Sequence, residues 1–241
     1  FAPPPAIPPC TVDLRDAGYA VEFSPYRPDQ IAVAVSQYFG IVGAGRQMVF
    51  ERVPGTAEMR LVRAFDTPDG VYDCAWSETN PNQVVSASGD GSVALFDVTA
   101  AENRPVARWQ EHETEVASVD WNCVRKDSFL SASWDNTIKL FTPQAPRSLM
   151  TFAEHTYCVY QAVWSPRRAN VFASASGDGT VRIWDANVAP RSIQRIAPAH
   201  GGEVLTVDWN KYNDNMLVTG KFLCFVCPFF RPEPPGPSFI H

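Results

Sequence analysis

Residues 174–185 read SASGDGTVRIWD, residues 86–97 read SASGDGSVALFD, and residues 131–141 read SASWDNTIKLF. Each copy sets alternating small, apolar and polar residues on either side of a tight-turn signal, which is the pattern of a β-hairpin. A second phrase recurs between the copies: VYDCAW (71–76), VASVDW (116–121), VYQAVW (159–164) and VLTVDW (204–209). Its closing tryptophans, Trp76, Trp121, Trp164 and Trp209, are 45, 43 and 45 residues apart, and Ser86, Ser131 and Ser174 keep step at 45 and 43. A looser copy, YAVEFSP (19–25), stands 53 residues ahead of the first, with a longer loop through GIVGAGR (40–46) between them. Strict alternation along VYDCAW puts Val71, Asp73 and Ala75 on one face and Tyr72, Cys74 and Trp76 on the other. Four short strands in each unit of this length, with little room for helix, predict an all-β fold: a β-propeller with one blade per unit.

The chain has 241 residues, 45% of them apolar and 19% charged, as expected of a folded globular domain. A net charge of −6 with no run of basic residues argues against a nucleic-acid partner. Cys74, Cys123 and Cys158 sit in apolar strand patterns and read as buried free thiols. The longest apolar stretch, FLCFVCPFF (222–230), contains a proline and is too short to span a bilayer, so no direct membrane insertion is expected. Prolines cluster at both ends, so 1–17 and 221–241 read as flanks of a folded middle, 18–220. No metal cluster, P-loop or dinucleotide fingerprint is present, so neither metal nor cofactor is expected. GIVGAG lacks the strand–turn–helix setting that would give it meaning, and Cys224/Cys227 has no second pair.

The units resemble WD repeats, with Trp184-Asp185 as the eponymous pair and Phe96-Asp97 as a variant. Carried onto this sequence, the family layout gives blades near 18–66, 71–110, 116–153 and 159–197, and the opening of a fifth at 204–220. His155, Ser174 or Ser176, and Asp178 supply the elements of a nucleophilic triad, as do His112, Ser131 or Ser133, and Asp135. A constellation that recurs at the repeat period belongs to the scaffold rather than to one active site. The resemblance implies a buried network of His, Ser, Asp and Trp184 that pins the turn. Only the fourth blade has every member: Phe96 and Phe141 lack an indole N–H, and Thr67 stands in the His position of the second blade.

Longer stretches are more specific than a repeat consensus: 18–46, 127–141 (DSFLSASWDNTIKLF), 154–166 (EHTYCVYQAVWSP), 172–185 and 208–220 (DWNKYNDNMLVTG). Together they resemble the family of peroxisomal import receptors for the N-terminal, type-2 targeting signal. The resemblance implies a non-enzymatic cargo receptor of cytosol and peroxisome matrix. It would bind a short amphipathic helix bearing Arg and His or Gln on matrix enzymes, and share it with a co-receptor, the long form of the receptor for C-terminal signals. It also implies contact with the peroxisomal docking complex.

The residues fit that chemistry. Before each first strand stand Gly70, Glu115, Cys158 and Glu203, with Asp69 and Glu113 beside them, and Asp66, Asp73 and Glu111 add negative charge. An acidic rim suits a basic helix, whose apolar face Tyr72, Trp134 and Tyr157 are expected to anchor. Glu115 and Glu203 are expected to contact cargo cations. The alternative is a generic WD scaffold for another complex, and an enzyme ranks third. After Gly220 the repeat does not resume. The family implies about seven blades, and Gly220-Lys221 can be encoded by GGUAAG, the consensus start of an intron. The expectation is that 221–241 is translated intron and that this form is impaired as a receptor.

Overall fold

The computed structural model describes residues 10–188, 190–221 and 239–240. The chain forms five sheet units in sequence order, the first four antiparallel throughout. The first contains β1 (Ala17–Phe23), β2 (Gln30–Ser36), β3 (Gly45–Arg52) and β4 (Met59–Thr67), and the second β5 (Val71–Trp76), β6 (Gln83–Ser88), β7 (Ser92–Asp97) and β8 (Ala107–Gln110). The third is β9 (Val116–Trp121), β10 (Phe129–Ser133), β11 (Ile138–Phe141) and β12 (Met150–Phe152), and the fourth β13 (Val159–Trp164), β14 (Val171–Ser176), β15 (Val181–Asp185) and β16 (Ser192–Ile196). The fifth begins with β17 (Val204–Trp209) and β18 (Leu217–Lys221), beside which β19 (Phe239–Ile240) pairs in parallel. The expectations for 1–9 and 222–238, including the Cys224/Cys227 pair, lie outside the described residues.

The core lies between sheets, not within one. Ala75, Val85, Val93 and Leu95 of the second blade pack against Val116, Val119, Trp121 and Phe129 of the third. Leu130, Ile138 and Phe152 repeat this against Val159, Trp164, Phe172 and Trp184 of the fourth. Ala173, Val181 and Ile183 do so against Val204, Val207 and Trp209 of the fifth. The second, third and fourth blades are thus sheets apolar on both faces, stacked on their neighbours in the manner of a propeller.

Side chains on the innermost strands tie consecutive blades together. Glu22 accepts the backbone N–H of Trp76 at 2.6 Å, Asp73 that of Val119 at 3.0 Å, Asp120 that of Trp164 at 2.6 Å, and Gln161 that of Val207 at 2.9 Å. Burial pushes the Glu22 carboxyl up to about 8, and those of Asp73 and Asp120 to about 7.

Strict alternation along the first strands is corrected by a β-bulge in all five. Pairing skips Tyr19, Tyr72, Ala117, Tyr160 and Leu205, each at the second or third position of its strand. Val71 therefore shares the face of Cys74 and Trp76 toward the first blade, whereas Ala75 packs toward the third. An extra residue bends the strand and re-aims its own side chain. Cys123 and Cys158 are also corrected: Cys123 lies exposed in the loop after β9, and Cys158 is only part-buried, one residue before β13 begins.

Candidate functional site

The turn between the second and third strands needs one left-handed residue, and Gly91, Asn136 and Gly179 supply it at φ of 81°, 71° and 77°. Before it, Asp90, Asp135 and Asp178 each accept the backbone N–H two residues on, at 3.0, 2.9 and 2.9 Å. In the fourth blade the other Asp178 oxygen is 2.9 Å from His155 Nδ1, His155 Nε2 is 2.7 Å from Ser174 Oγ, and Trp184 Nε1 donates to Ser174 Oγ at 2.9 Å. The third blade repeats the chain without its tryptophan, from Asp135 through His112 to Ser131 at 2.7 and 2.6 Å.

Ser174, not Ser176, is the histidine's partner. Ser176 sits at the strand end, where its hydroxyl donates to the Tyr157 carbonyl at 2.9 Å and accepts the Asp178 N–H. Ser133 likewise turns to the carbonyl of Glu115 at 2.8 Å. Burial opposes ionisation of Asp178, but hydrogen bonds from His155 and Thr180 outweigh it and hold the carboxyl well below the usual carboxylate range. Asp135 is held low in the same way by His112 and Thr137. Ser174 and Ser131 are both 0% exposed, so neither hydroxyl can meet a substrate.

Two variations on this network carried no recognised sequence signal. In the second blade Arg108 reaches back from β8 to Asp90 at 2.6 Å and takes the place beside the carboxylate that the histidine holds in the next two blades, while Thr67 donates to the Asp69 carbonyl. In the fifth, His200 Nε2 lies 2.8 Å from Thr219 Oγ1.

The five bulged residues, Tyr19, Tyr72, Ala117, Tyr160 and Leu205, come together as the lining of one groove of about 670 Å³. Tyr19 and Tyr72 meet at 5.2 Å between ring centroids, Tyr72 stacks near-parallel on Trp134 at 6.4 Å, and Trp134 meets Tyr160 edge-on at 6.4 Å. Ala117 lines the groove with them, and Trp134 of the third blade meets rings of the second and fourth. Glu115 lines the groove, and Phe39, Gly40 and Ile41 form its wall on the first blade. Glu203 accepts the Tyr160 hydroxyl at 2.7 Å while remaining exposed.

Of the residues expected at the rim, Tyr72, Trp134 and Glu115 line this groove, and Glu203 touches it through Tyr160. Glu113 is exposed next to His112, and Asp69 is half-buried, with Oδ1 accepting the Gly70 N–H. Two placements differ from expectation. Asp73 is committed to the Cys74 and Val119 N–H groups between blades, and does not belong to the charged rim. Tyr157 packs over Gly177, where a Cβ would meet its ring at 2.4 Å, and Tyr160 takes its place in the groove. Asp66 is paired with Arg46 at 2.9 Å, and Glu111, in the link between the second and third blades, accepts the Ser148 N–H at 2.8 Å.

Among the described residues no group of three or more His, Cys, Asp or Glu is placed to hold a metal ion, and no helix is long and apolar enough to cross a membrane. Serial β-sheet blades, three of them with a turn locked by an aspartate, under a groove built from loops and bulges, define a WD-repeat protein. The WD domain, G-beta repeat family model matches residues 59–97, 103–142 and 146–185. Each match runs from the outer strand of one blade through the third strand of the next, so the sequence unit bridges two blades.

The chain is similar to three proteins each named peroxisomal targeting signal 2 receptor. That of Dictyostelium discoideum is 50% identical over 132 residues, 54% of this chain and 41% of the relative. That of Saccharomyces cerevisiae is 35% identical over 232 residues, 85% of this chain and 61% of the relative. That of Schizosaccharomyces pombe is 30% identical over 212 residues, 86% of this chain and 67% of the relative. The chain belongs to this receptor family, and spans about two fifths to two thirds of the length of these relatives.

Proposed function

We propose that the chain recognises the type-2 targeting signal of peroxisomal matrix enzymes and binds it as a cationic amphipathic helix in the groove. One observation carries the reading: five bulges at one repeat position converge on a single groove, three of them placing tyrosine rings there, flanked by Glu115 and Glu203. A helix with an apolar stripe and a cationic edge presents the matching surface. The carboxylates speed encounter and penalise acidic partners, and the rings supply buried contact area. No step of this function breaks or forms a covalent bond.

On this reading the receptor collects cargo in the cytosol and accompanies it to the peroxisome matrix. The long form of the C-terminal-signal receptor, acting as co-receptor, completes the enclosure of the helix, and the docking complex receives the assembly. Fluorescence anisotropy with a labelled type-2 signal peptide and a scrambled control tests the first step. Selective binding of the signal peptide, weakened at least tenfold in the double variant E115K/E203K, is expected. Equal binding of both peptides, or no change on charge reversal, would refute the reading.

A further inference from the structure

The loop 37–44 joins β2 to β3 and holds the glycine-rich stretch that no dinucleotide role explains. It runs through three consecutive left-handed residues, Tyr38, Phe39 and Gly40, at φ of 46°, 56° and 69°. Tyrosine and phenylalanine rarely adopt this conformation, so the surroundings must enforce it. Two hydroxyls from different blades do so: Tyr19 Oη donates to the Phe39 carbonyl at 2.5 Å, and Tyr72 Oη donates to the Gly40 carbonyl at 2.9 Å. Burial, followed by the nearby charges of Asp69 and Glu115, raises the Tyr72 hydroxyl above its ordinary range, which keeps it a donor. A Cβ at Gly40 would meet Tyr19 Oη at 2.7 Å and a Tyr72 ring carbon at 2.8 Å, so the latch has room only for glycine.

This enforced backbone displays apolar side chains to water. Phe39 is 79% exposed and Ile41 85%, with Tyr38 and Val42 at 71% and 65% beside them. Phe39 and Ile41 face the groove, whose far wall is Leu205 on the fifth blade. One end of the groove is therefore apolar and held rigid, while Glu115 and Glu203 make it acidic toward the third and fifth blades. Large apolar groups held in water by a strained loop form a surface built to be covered.

We propose that Phe39 and Ile41 form the apolar subsite of the groove and select for aliphatic side chains on the helix face adjoining the cations held by Glu115 and Glu203. This rests on the groove being the helix site proposed above. The two tyrosine latches make the subsite preorganised, so contact is gained without ordering the loop. The loop thus sets which cationic helices bind, a discrimination the carboxylates alone do not make.

The test uses two peptides, one a cationic amphipathic helix with leucines on its apolar face, the other with those leucines replaced by serine and its cations unchanged. The intact chain is expected to prefer the leucine peptide by about ten- to a hundredfold, the burial of one or two large apolar side chains. In F39S/I41S that preference is expected to vanish, the leucine peptide losing affinity until the two peptides bind alike. Both positions are exposed, and thermal melts check that the fold survives. Retention of the full leucine preference in F39S/I41S overturns the subsite and leaves the groove reading standing. Failure of the unsubstituted chain to bind either peptide, or indifference to E115K/E203K, overturns the groove reading and the subsite with it.

Discussion

Trp184 donates its indole N–H to Ser174 Oγ at 2.9 Å, closing a chain that runs on through His155 to Asp178. Every member is satisfied inside the fourth blade, so removing the first donor should weaken the blade rather than silence a reaction. W184F is expected to cost about 1–3 kcal/mol, the loss of one buried hydrogen bond. Urea unfolding of the purified chain reads this directly. A serine-directed fluorophosphonate probe is expected to leave Ser174 unlabelled, and labelling there would contradict the structural assignment.

The seams between blades give stability an unusual pH dependence. Asp120 in the folded chain titrates at about 7, against an ordinary value of 3.8. Between those values the folded form holds a proton that the unfolded form has released. The contribution is complete below the ordinary value and disappears as pH rises through about 7. Asp73 acts in the same window, and Glu22 acts up to about 8. The melting temperature is therefore expected to fall between pH 5 and pH 8. D120N, whose amide oxygen still accepts the Trp164 N–H, should be the more stable chain at pH 8 and show a shallower decline. A flat profile in the unsubstituted chain would contradict this.

Trp134 stands on the turn of the third blade, 41% exposed, with its ring between Tyr72 and Tyr160. W134A is expected to lower signal-peptide affinity about tenfold or more, as loss of an aromatic anchor does at an interface centre. Its melting temperature should stay close to that of the parent chain. Undiminished affinity measured by calorimetry would remove Trp134 from the site.

Glu203 is exposed and hydrogen-bonded only at its Tyr160 contact among the described residues. Attraction to a cationic helix through such a group is screened within about 8 Å at physiological salt. Raising sodium chloride should slow association far more than it speeds dissociation. Stopped-flow traces independent of salt would contradict an acidic rim that steers its ligand.

The blades were legible because Trp76, Trp121, Trp164 and Trp209 close strands at a nearly fixed period. The bulges were not, because the skipped residues, Tyr19, Tyr72, Ala117, Tyr160 and Leu205, follow no single residue type. Their trace lies instead in what is buried. Val116, Val119 and Trp121 recur as Val159, Ala162, Trp164 and as Val204, Val207, Trp209, at offsets of three and then two residues. An offset of three in a ribbon of period two marks an inserted residue. The choice between Ser174 and Ser176 was closed to sequence because both lie on the same strand face. Register decides it, since Ser174 pairs mid-sheet with Ala162 and Arg182. The loop 37–44 became interpretable only when Tyr19 and Tyr72, distant in sequence, were seen to grip its carbonyls.

On the proposed reading Glu115 and Glu203 meet positive charge on a helix lying across the bulged rings, and a charge-swap titration separates this from a merely solvated acidic surface. The signal peptide and a version with its basic residues changed to glutamate are each titrated against the parent chain and E115K/E203K. The parent chain is expected to bind the basic peptide, and the double variant to prefer the acidic one. The same preference in both chains would contradict it.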